Sequence, residues 1–155
     1  CNDRTYYNFN TSGWNKDYSN YDKWLYLGSM QRLSNRKLSL VCPRQLDKFS
    51  VSADNGNGKL TYPVGMITAE EMAYAGAVIW QTNTSYYLYN GVNNWSFSPY
   101  LFRFWNAGEF SFNSAGTLGV SDVAGSLGAR PSISLKQGTV LSSGNGTSTS
   151  PFIVN

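Results

Sequence analysis

The sequence predicts an α+β domain, with helix in the first half and short strands joined by long loops in the second. Three observations predict it. Thr68-Ala-Glu-Glu71 is a capping box, in which a Thr hydroxyl and a Glu carboxylate satisfy each other's free backbone N–H groups and open a helix. From Gly76 onward the apolar residues come in short runs separated by Gly, Asn, Ser and Pro, a spacing of strands and turns with no helical period. The 155 residues include 5 Trp, 11 Tyr and 8 Phe, enough apolar volume for the core of one compact domain over residues 1–155. No repeat, linker or second domain is visible.

In chain order, residues 1–36 read as a partly irregular N-terminal region. Ser19 and Asp22 are placed to open a helix over Tyr21–Leu33, with Trp24, Leu25, Met30 and Leu33 as its apolar positions and Gly28 weakening it. Lys37–Cys42 alternates apolar and polar residues and reads as a strand. Asp54-Asn-Gly-Asn-Gly58 is the strongest turn signal. It lacks the alternating oxygen ligands of a calcium loop. Leu60–Val64 reads as extended. The capping box then starts a helix from Ala69 to Ala75. Gly76 suits its left-handed end, and Met66 or Ile67 is placed to staple onto Met72 or Ala73. Later runs read as strands: Tyr86–Tyr89, Trp95–Ser98, Phe110–Phe112, Arg130–Leu135 and Phe152–Val154. Trp95 and Phe97 are expected to be buried, Ile133 and Leu135 to share a face, and Tyr100–Trp105 to form an apolar loop.

Composition argues against catalysis. The chain has no His, so the usual general base and the usual nitrogen metal ligand are missing. No nucleophile elbow, Walker loop or dinucleotide fingerprint occurs. Glu70 and Glu71 are adjacent and so point about 100° apart on a helix, which is no glycosidase pair. The expectation is no enzyme, no cofactor and no metal. Arg32, Arg36, Lys37, Arg44 and Lys48 form a small basic cluster. It lacks aromatic platforms and reads as a solvated face, so nucleic acid is not expected as a partner. No run of about 18 apolar residues is present, so no membrane insertion is expected in this segment. Any signal peptide or anchor is expected upstream of Cys1.

Cys1 and Cys42 are the two cysteines. In an extracellular setting they read as one disulfide, closing a loop whose entropy is worth about 4 kcal/mol. The rival reading makes Cys1 the lipidated first residue of a mature lipoprotein. Asn-x-Ser/Thr sequons stand at Asn10, Asn83, Asn94 and Asn145, as expected in a chain so rich in Asn and Ser.

Recognition chemistry concentrates between residues 86 and 126. Twelve of the aromatic residues fall between Trp80 and Phe112, interleaved with Asn, Ser, Gly and Arg. Tyr and Trp offer large contact area at small entropic cost, and Asn, Ser and Gly adaptable hydrogen bonds. Asn90, Asn93, Asn94, Tyr100, Phe102, Arg103, Phe104 and Asn106 are the candidate ligand-binding residues, with Trp95 and Pro99 as scaffold between them. The bland reading makes the same aromatics the core of a β-rich half that is poor in aliphatics.

Tyr-Pro-Val-Gly-Met-Ile-Thr-Ala-Glu-Glu (62–71), Ser-Tyr-Tyr-Leu-Tyr-Asn-Gly (85–91), Trp-Ser-Phe-Ser-Pro (95–99), Gly-Ala-Arg-Pro-Ser-Ile-Ser-Leu-Lys (128–136) and the closing Gly-Asn-Gly-Thr with Pro-Phe-Ile-Val carry a resemblance. Residues 37–155 resemble large paralogous surface proteins of gut Firmicutes-like bacteria, often with a pilin-like N-terminal anchor. The order Trp, Ser-Pro, then Gly-x-Arg-Pro also resembles the C-type-lectin fold of the formylglycine-generating-enzyme type, used by variable proteins of diversity-generating retroelements. The resemblance implies a lectin-like scaffold with short twisted sheets, one or two short helices, and Arg130 in the scaffold. It also implies a variable binding face. Residues 86–126 consist almost wholly of the types that adenine mutagenesis yields, with Trp95, Trp105 and Glu109 among the exceptions. The calcium-lectin signatures and the catalytic cysteines of the formylglycine enzymes are missing. Two functions follow as expectations. One is an extracellular or cell-surface binding domain, adhesin- or receptor-like, for a protein or glycan ligand. The other is a structural subunit of a pilus-like fibre.

Overall fold

The computed structural model describes residues 6–7, 25–42, 44–51, 58–103, 106–147 and 149–155. In chain order these form β1 (Tyr6–Tyr7), β2 (Leu25–Leu27), α1 (Gly28–Ser34), a 3-10 turn (Gln45–Asp47), β3 (Phe49–Ser50), β4 (Gly58–Lys59), β5 (Val64–Met66) and α2 (Ala69–Tyr74). Then follow β6 (Asn94–Arg103), β7 (Asn106–Phe112), β8 (Leu118–Asp122), β9 (Pro131–Ile133), β10 (Leu141–Ser143) and β11 (Ile153–Val154). The α+β class holds: among the described residues, two helices stand with several small sheets, and no barrel closes. The main sheet is antiparallel, in the order β1-β2-β6-β7-β8. Three two-stranded pairs surround it, β5 with β9 and β10 with β11 antiparallel, β3 with β4 parallel.

The core lies between the helices and the main sheet. Phe110, Phe112 and Leu118 from β7 and β8 meet Ala69 and Met72 of α2 and Leu33 of α1, all buried. Tyr86 and Ala77 close it from the loop side. Phe110 is fully buried and takes the Tyr100 ring edge-on at 5.3 Å between centroids.

α2 forms as its sequence dictates. The Glu71 N–H donates to Thr68 Oγ1 at 3.2 Å, and the Thr68 N–H donates to Glu71 Oε2 at 2.7 Å. At the other end the Gly76 N–H donates to Ala73 O and the Ala77 N–H to Met72 O, the paired closure that needs a left-handed residue between them. Gly76 supplies it, at φ 109°. Ile67 and Met72 are both buried in the core, where a staple would put them.

α1 is shorter than predicted and begins later. Leu25–Leu27, expected inside a helix, is a strand, because Leu25 and Tyr26 pair with Phe102 and Leu101 of β6. Gly28 then starts the helix instead of weakening it. Ser19, Asp22 and Trp24 lie outside the described residues. Lys37–Cys42 is irregular and not a strand. The Lys37 N–H closes α1 on Arg32 O, Leu38 packs on the core, and Leu40 and Val41 are exposed. The extended segment Leu60–Val64 is bent at residues 61–63, where the Val64 N–H turns back on Tyr62 O. The 54–58 turn is described only from Gly58, which opens β4.

In the second half the strands at 95–98, 110–112, 131–133 and 153–154 stand where expected. Tyr86–Tyr89 is a turn, closed by the Tyr89 N–H on Tyr86 O. Tyr100–Arg103, read as loop, continues β6. The burial of β6 is also inverted. Asn94, Ser96 and Ser98 are the buried residues, while Trp95 and Phe97 are half-buried. Ile133 and Leu135 are both exposed.

Candidate functional site

The inversion in β6 has a polar cause. Between Trp95, paired with Ser111, and Pro99, paired with Glu109, the register shifts. There β6 leaves β7 and turns to the start of α2. The Phe97 N–H donates to Ile67 O at 2.9 Å, and the Ala69 N–H donates to Ser98 Oγ at 3.0 Å. Ser98 Oγ in turn donates to Glu70 Oε2 at 3.0 Å. Glu70, only 3% exposed, takes Arg32 on its other oxygen, from Nε at 3.0 Å and from Nη2. The Ser98 hydroxyl thus bridges the first N–H of α2 and the Glu70 carboxylate. One carboxylate therefore ties α1, α2 and β6 together, and a buried charge needs such partners. Arg32 thereby leaves the solvated basic face in which the sequence placed it.

The Asn-rich loop from 83 to 94 is also held by its own side chains. Asn83 Nδ2 donates to Gly76 O, and Asn83 Oδ1 accepts from the Ser85 N–H. Asn90 Oδ1 accepts from the Val92 N–H and from Asn94 Nδ2. Asn93 Oδ1 accepts from the Ser114 N–H at 2.7 Å, which ties this loop to the β7–β8 turn. The Asn83–Ser85 and Asn90–Val92 bonds are the local side-chain-to-backbone bonds for which Asn is favoured in turns, while Asn83–Gly76 and Asn93–Ser114 reach farther along the chain. Gly116 lets the same turn approach, since at its φ of +81° an added Cβ would lie 2.1 Å from Asn83 O. Arg130 Nη1 donates to Leu88 O and pins the loop from the far side. Burial pushes the Tyr86 phenol above its ordinary value, against the opposing pull of the Arg130 charge.

Among the described residues, the candidates for ligand binding therefore stand at two ends of the β6–β7 ladder. Asn94 pairs with Phe112 at one end of the β6–β7 ladder, and Arg103 pairs with Asn106 at the other. Six steps of β7 separate these ends, about 20 Å at about 3.4 Å per residue. Asn90 and Asn93 are exposed beside the first end. Asn94 is 6% exposed, with its amide spent on Asn90 and Val92 O, so it is a turn-builder and not a surface contact. Tyr100 is half-buried against Phe110 and Trp80, in the core-facing role of the bland reading. Phe102 is 53% exposed. Phe104 lies outside the described residues, as does Trp105. Trp95 and Pro99 are half-buried scaffold.

What the fold gathers is a smaller cluster at the Arg103–Asn106 end. Asn106 Nδ2 donates to Asp122 Oδ2 at 2.6 Å. Phe102 pairs with Ala107, whose carbonyl accepts from the Val123 N–H. Asn106, which pairs with Arg103, and Asp122, which pairs with Gly108, thus stand on one face of this end, while Phe102 pairs with Ala107 and lies on the other; exposed Val123, 52% accessible, follows Asp122 in the turn. Asp122 Oδ1 also accepts from the Ala124 N–H at 3.0 Å, which fixes the turn. Asp122 and Val123 fall inside the 86–126 stretch but are not among the named candidates, because their placement needs the register of β8 on β7. The Ser-Asp-Val-Ala-Gly run, a turn signal, was the available clue. Sequence reasoning missed Trp80, half-exposed at 49% with a left-handed φ of 61°, for which the sequence carries no signal. Farther along β7, burial pushes the Glu109 carboxyl above the usual range.

Among the described residues no group of three or more His, Cys, Asp or Glu could hold a metal ion, and no helix is long and apolar enough to cross a membrane. Cys1 lies outside the described residues, so its pairing with Cys42 is not placed. No family model matches the chain, and no curated protein or solved structure matches it either.

Proposed function

We propose that the chain is an extracellular, non-catalytic ligand-binding domain of C-type-lectin-like design, recognising a protein or glycan at the Arg103–Asn106 end of its central sheet. The observation that carries this reading is the exposed Phe102, held in register on Ala107 at the strand end where the Asn106–Asp122 pair stands on the other face. An exposed aromatic ring on one face of that end, with an amide and a carboxylate on the other, offers stacking and directional hydrogen bonds to a ligand that wraps around the end. The surface rests on paired strands, and the turn after it is fixed by Asp122, so little order has to be acquired on binding. An immobilised glycan array and a panel of extracellular-matrix proteins test it, with the parent chain compared to Phe102→Ser. Binding by the parent that Phe102→Ser reduces at least tenfold, with a thermal midpoint within about 3 °C, supports the site. Equal binding by both forms removes it.

A second reading, a subunit of a pilus-like fibre, is favoured by a different observation. β10 and β11 form a two-stranded pair whose residues are all exposed, including Leu141, Ile153 and Val154. Residues 137–155 carry no charged side chain, and charge is the usual guard on an open edge. Concentration-dependent polymers in size-exclusion chromatography favour the fibre, and a monomer at high concentration favours the binding domain.

A further inference from the structure

A cleft of about 410 Å³ opens between the C-terminal ends of the two helices and the segment that follows α2. Leu33, Leu38, Ala73, Ala77, Val78 and Ile79 give it an apolar wall. Ser34, Arg36 and Gln81 are its polar members, and no carboxylate is among the described residues that line it. The volume lies in the range of about 300–1,000 Å³ usual for small-molecule sites. Its floor is rigid. Leu33 and Ala77 belong to the buried core, and the Arg32–Glu70 ion pair joins the two helices behind it.

Arg36 is the unusual member. α1 and α2 end in the same closure: the Arg36 N–H donates to Leu33 O and the Lys37 N–H to Arg32 O, as those of Gly76 and Ala77 do at the end of α2. The left-handed residue is Gly76 in α2 but Arg36 in α1, at φ 54°. Glycine takes that conformation without the steric penalty that any Cβ incurs. The fold alone would thus be served better by Gly at position 36. A strained residue kept at the rim of a cleft points to a task beyond folding.

We propose that this cleft binds a small aliphatic carboxylate, with the chain against the apolar wall and the carboxylate on the Arg36 guanidinium. A guanidinium presents a planar fork that matches a carboxylate in a bidentate way, and Ser34 and Gln81 offer neutral donors beside it. The site uses none of the residues of the proposed recognition surface, so the two stand or fall separately.

Isothermal titration calorimetry of the full chain with sodium octanoate tests this, with octylammonium and 1-octanol as controls at equal ionic strength. Saturable one-to-one binding of octanoate is expected, at least tenfold tighter than octylammonium. Arg36→Gly is expected to raise the thermal midpoint by about 2–4 °C, because Gly relieves the strain, while octanoate binding falls at least tenfold. Arg36→Asn, which also tolerates the left-handed conformation, is expected to lose binding equally at an unchanged midpoint. Octanoate binding retained in either variant overturns the proposal. So does octylammonium binding as well as octanoate, or no saturable octanoate binding by the parent up to millimolar concentration.

Discussion

Replacing Glu70 by Ala is the sharpest test of how this fold is held. The carboxylate is 3% exposed and joins three elements, accepting from Arg32 on one oxygen and from Ser98 Oγ on the other. Removing it takes this counter-charge from a guanidinium on a side chain only 21% exposed, and takes its acceptor from the Ser98 hydroxyl. Breaking a buried ion pair from one side costs about 3–5 kcal/mol. Water reaches the exposed fifth of Arg32, so the lower end applies, about 3 kcal/mol. At about 2–4 °C per kcal/mol for a chain of this length, the thermal midpoint should fall by about 9 °C. Glu70→Gln keeps the shape and an acceptor oxygen, and should cost about half as much. A double-mutant cycle with Arg32→Met isolates the pair, and a coupling of about 1–3 kcal/mol is expected. Circular dichroism melts of the four proteins give all these values. A Glu70→Ala midpoint within 2 °C of the parent, or strictly additive losses in the cycle, would refute the idea that this carboxylate clamps the helices to β6; both thresholds are about the precision of such comparisons.

Other outcomes follow from the same geometry. Thr68→Ala removes the acceptor for the Glu71 N–H and should lower stability by about 1 kcal/mol, read as a shift in urea midpoint at constant slope. Glu109 is raised above its ordinary value of 4.5 by burial. The folded state therefore binds its proton at higher pH than the unfolded chain does, and this group's contribution to stability falls as pH rises from about 4.5 through the raised value. Glu109→Gln should flatten that part of the pH–stability curve and stabilise the protein at pH 7, and a curve parallel to the parent's contradicts it. For the proposed Cys1–Cys42 disulfide, intact mass should rise by two hydrogens on reduction, and free thiols in freshly purified, oxidised protein count against the bond.

The two ends of α2 show what the sequence by itself determined. Thr68, Glu71 and Gly76 fix that helix through bonds to residues no more than a turn away, so no distant contact is needed to read them. The turn at Tyr86–Tyr89 is closed by a bond of the same short reach, yet its aromatic run reads as a strand. Asn83 and Asn90 lie where local bonds favour them, while Asn93 is held by Ser114 from a distant turn. Tertiary structure decided the rest. Leu25–Leu27 carries residues acceptable to a helix, and only the open edge of β6 makes it a strand. Alternation along β6 pointed to Trp95 and Phe97 as the buried face. Instead Asn94, Ser96 and Ser98 are buried: Ser98 meets Ala69 and Glu70 of α2, and Asn94 is enclosed by the 90–92 loop and Gly128. The predicted binding residues were adjacent in sequence, but an extended strand carries neighbours apart at about 3.4 Å per residue. Thus one contiguous stretch became two surfaces at opposite ends of the sheet. Asp122 and Val123 joined one of them through strand register, and the cleft beside Arg36 formed where two helix ends meet. Such contacts join residues remote in sequence, and no local pattern encodes which remote partner will be met.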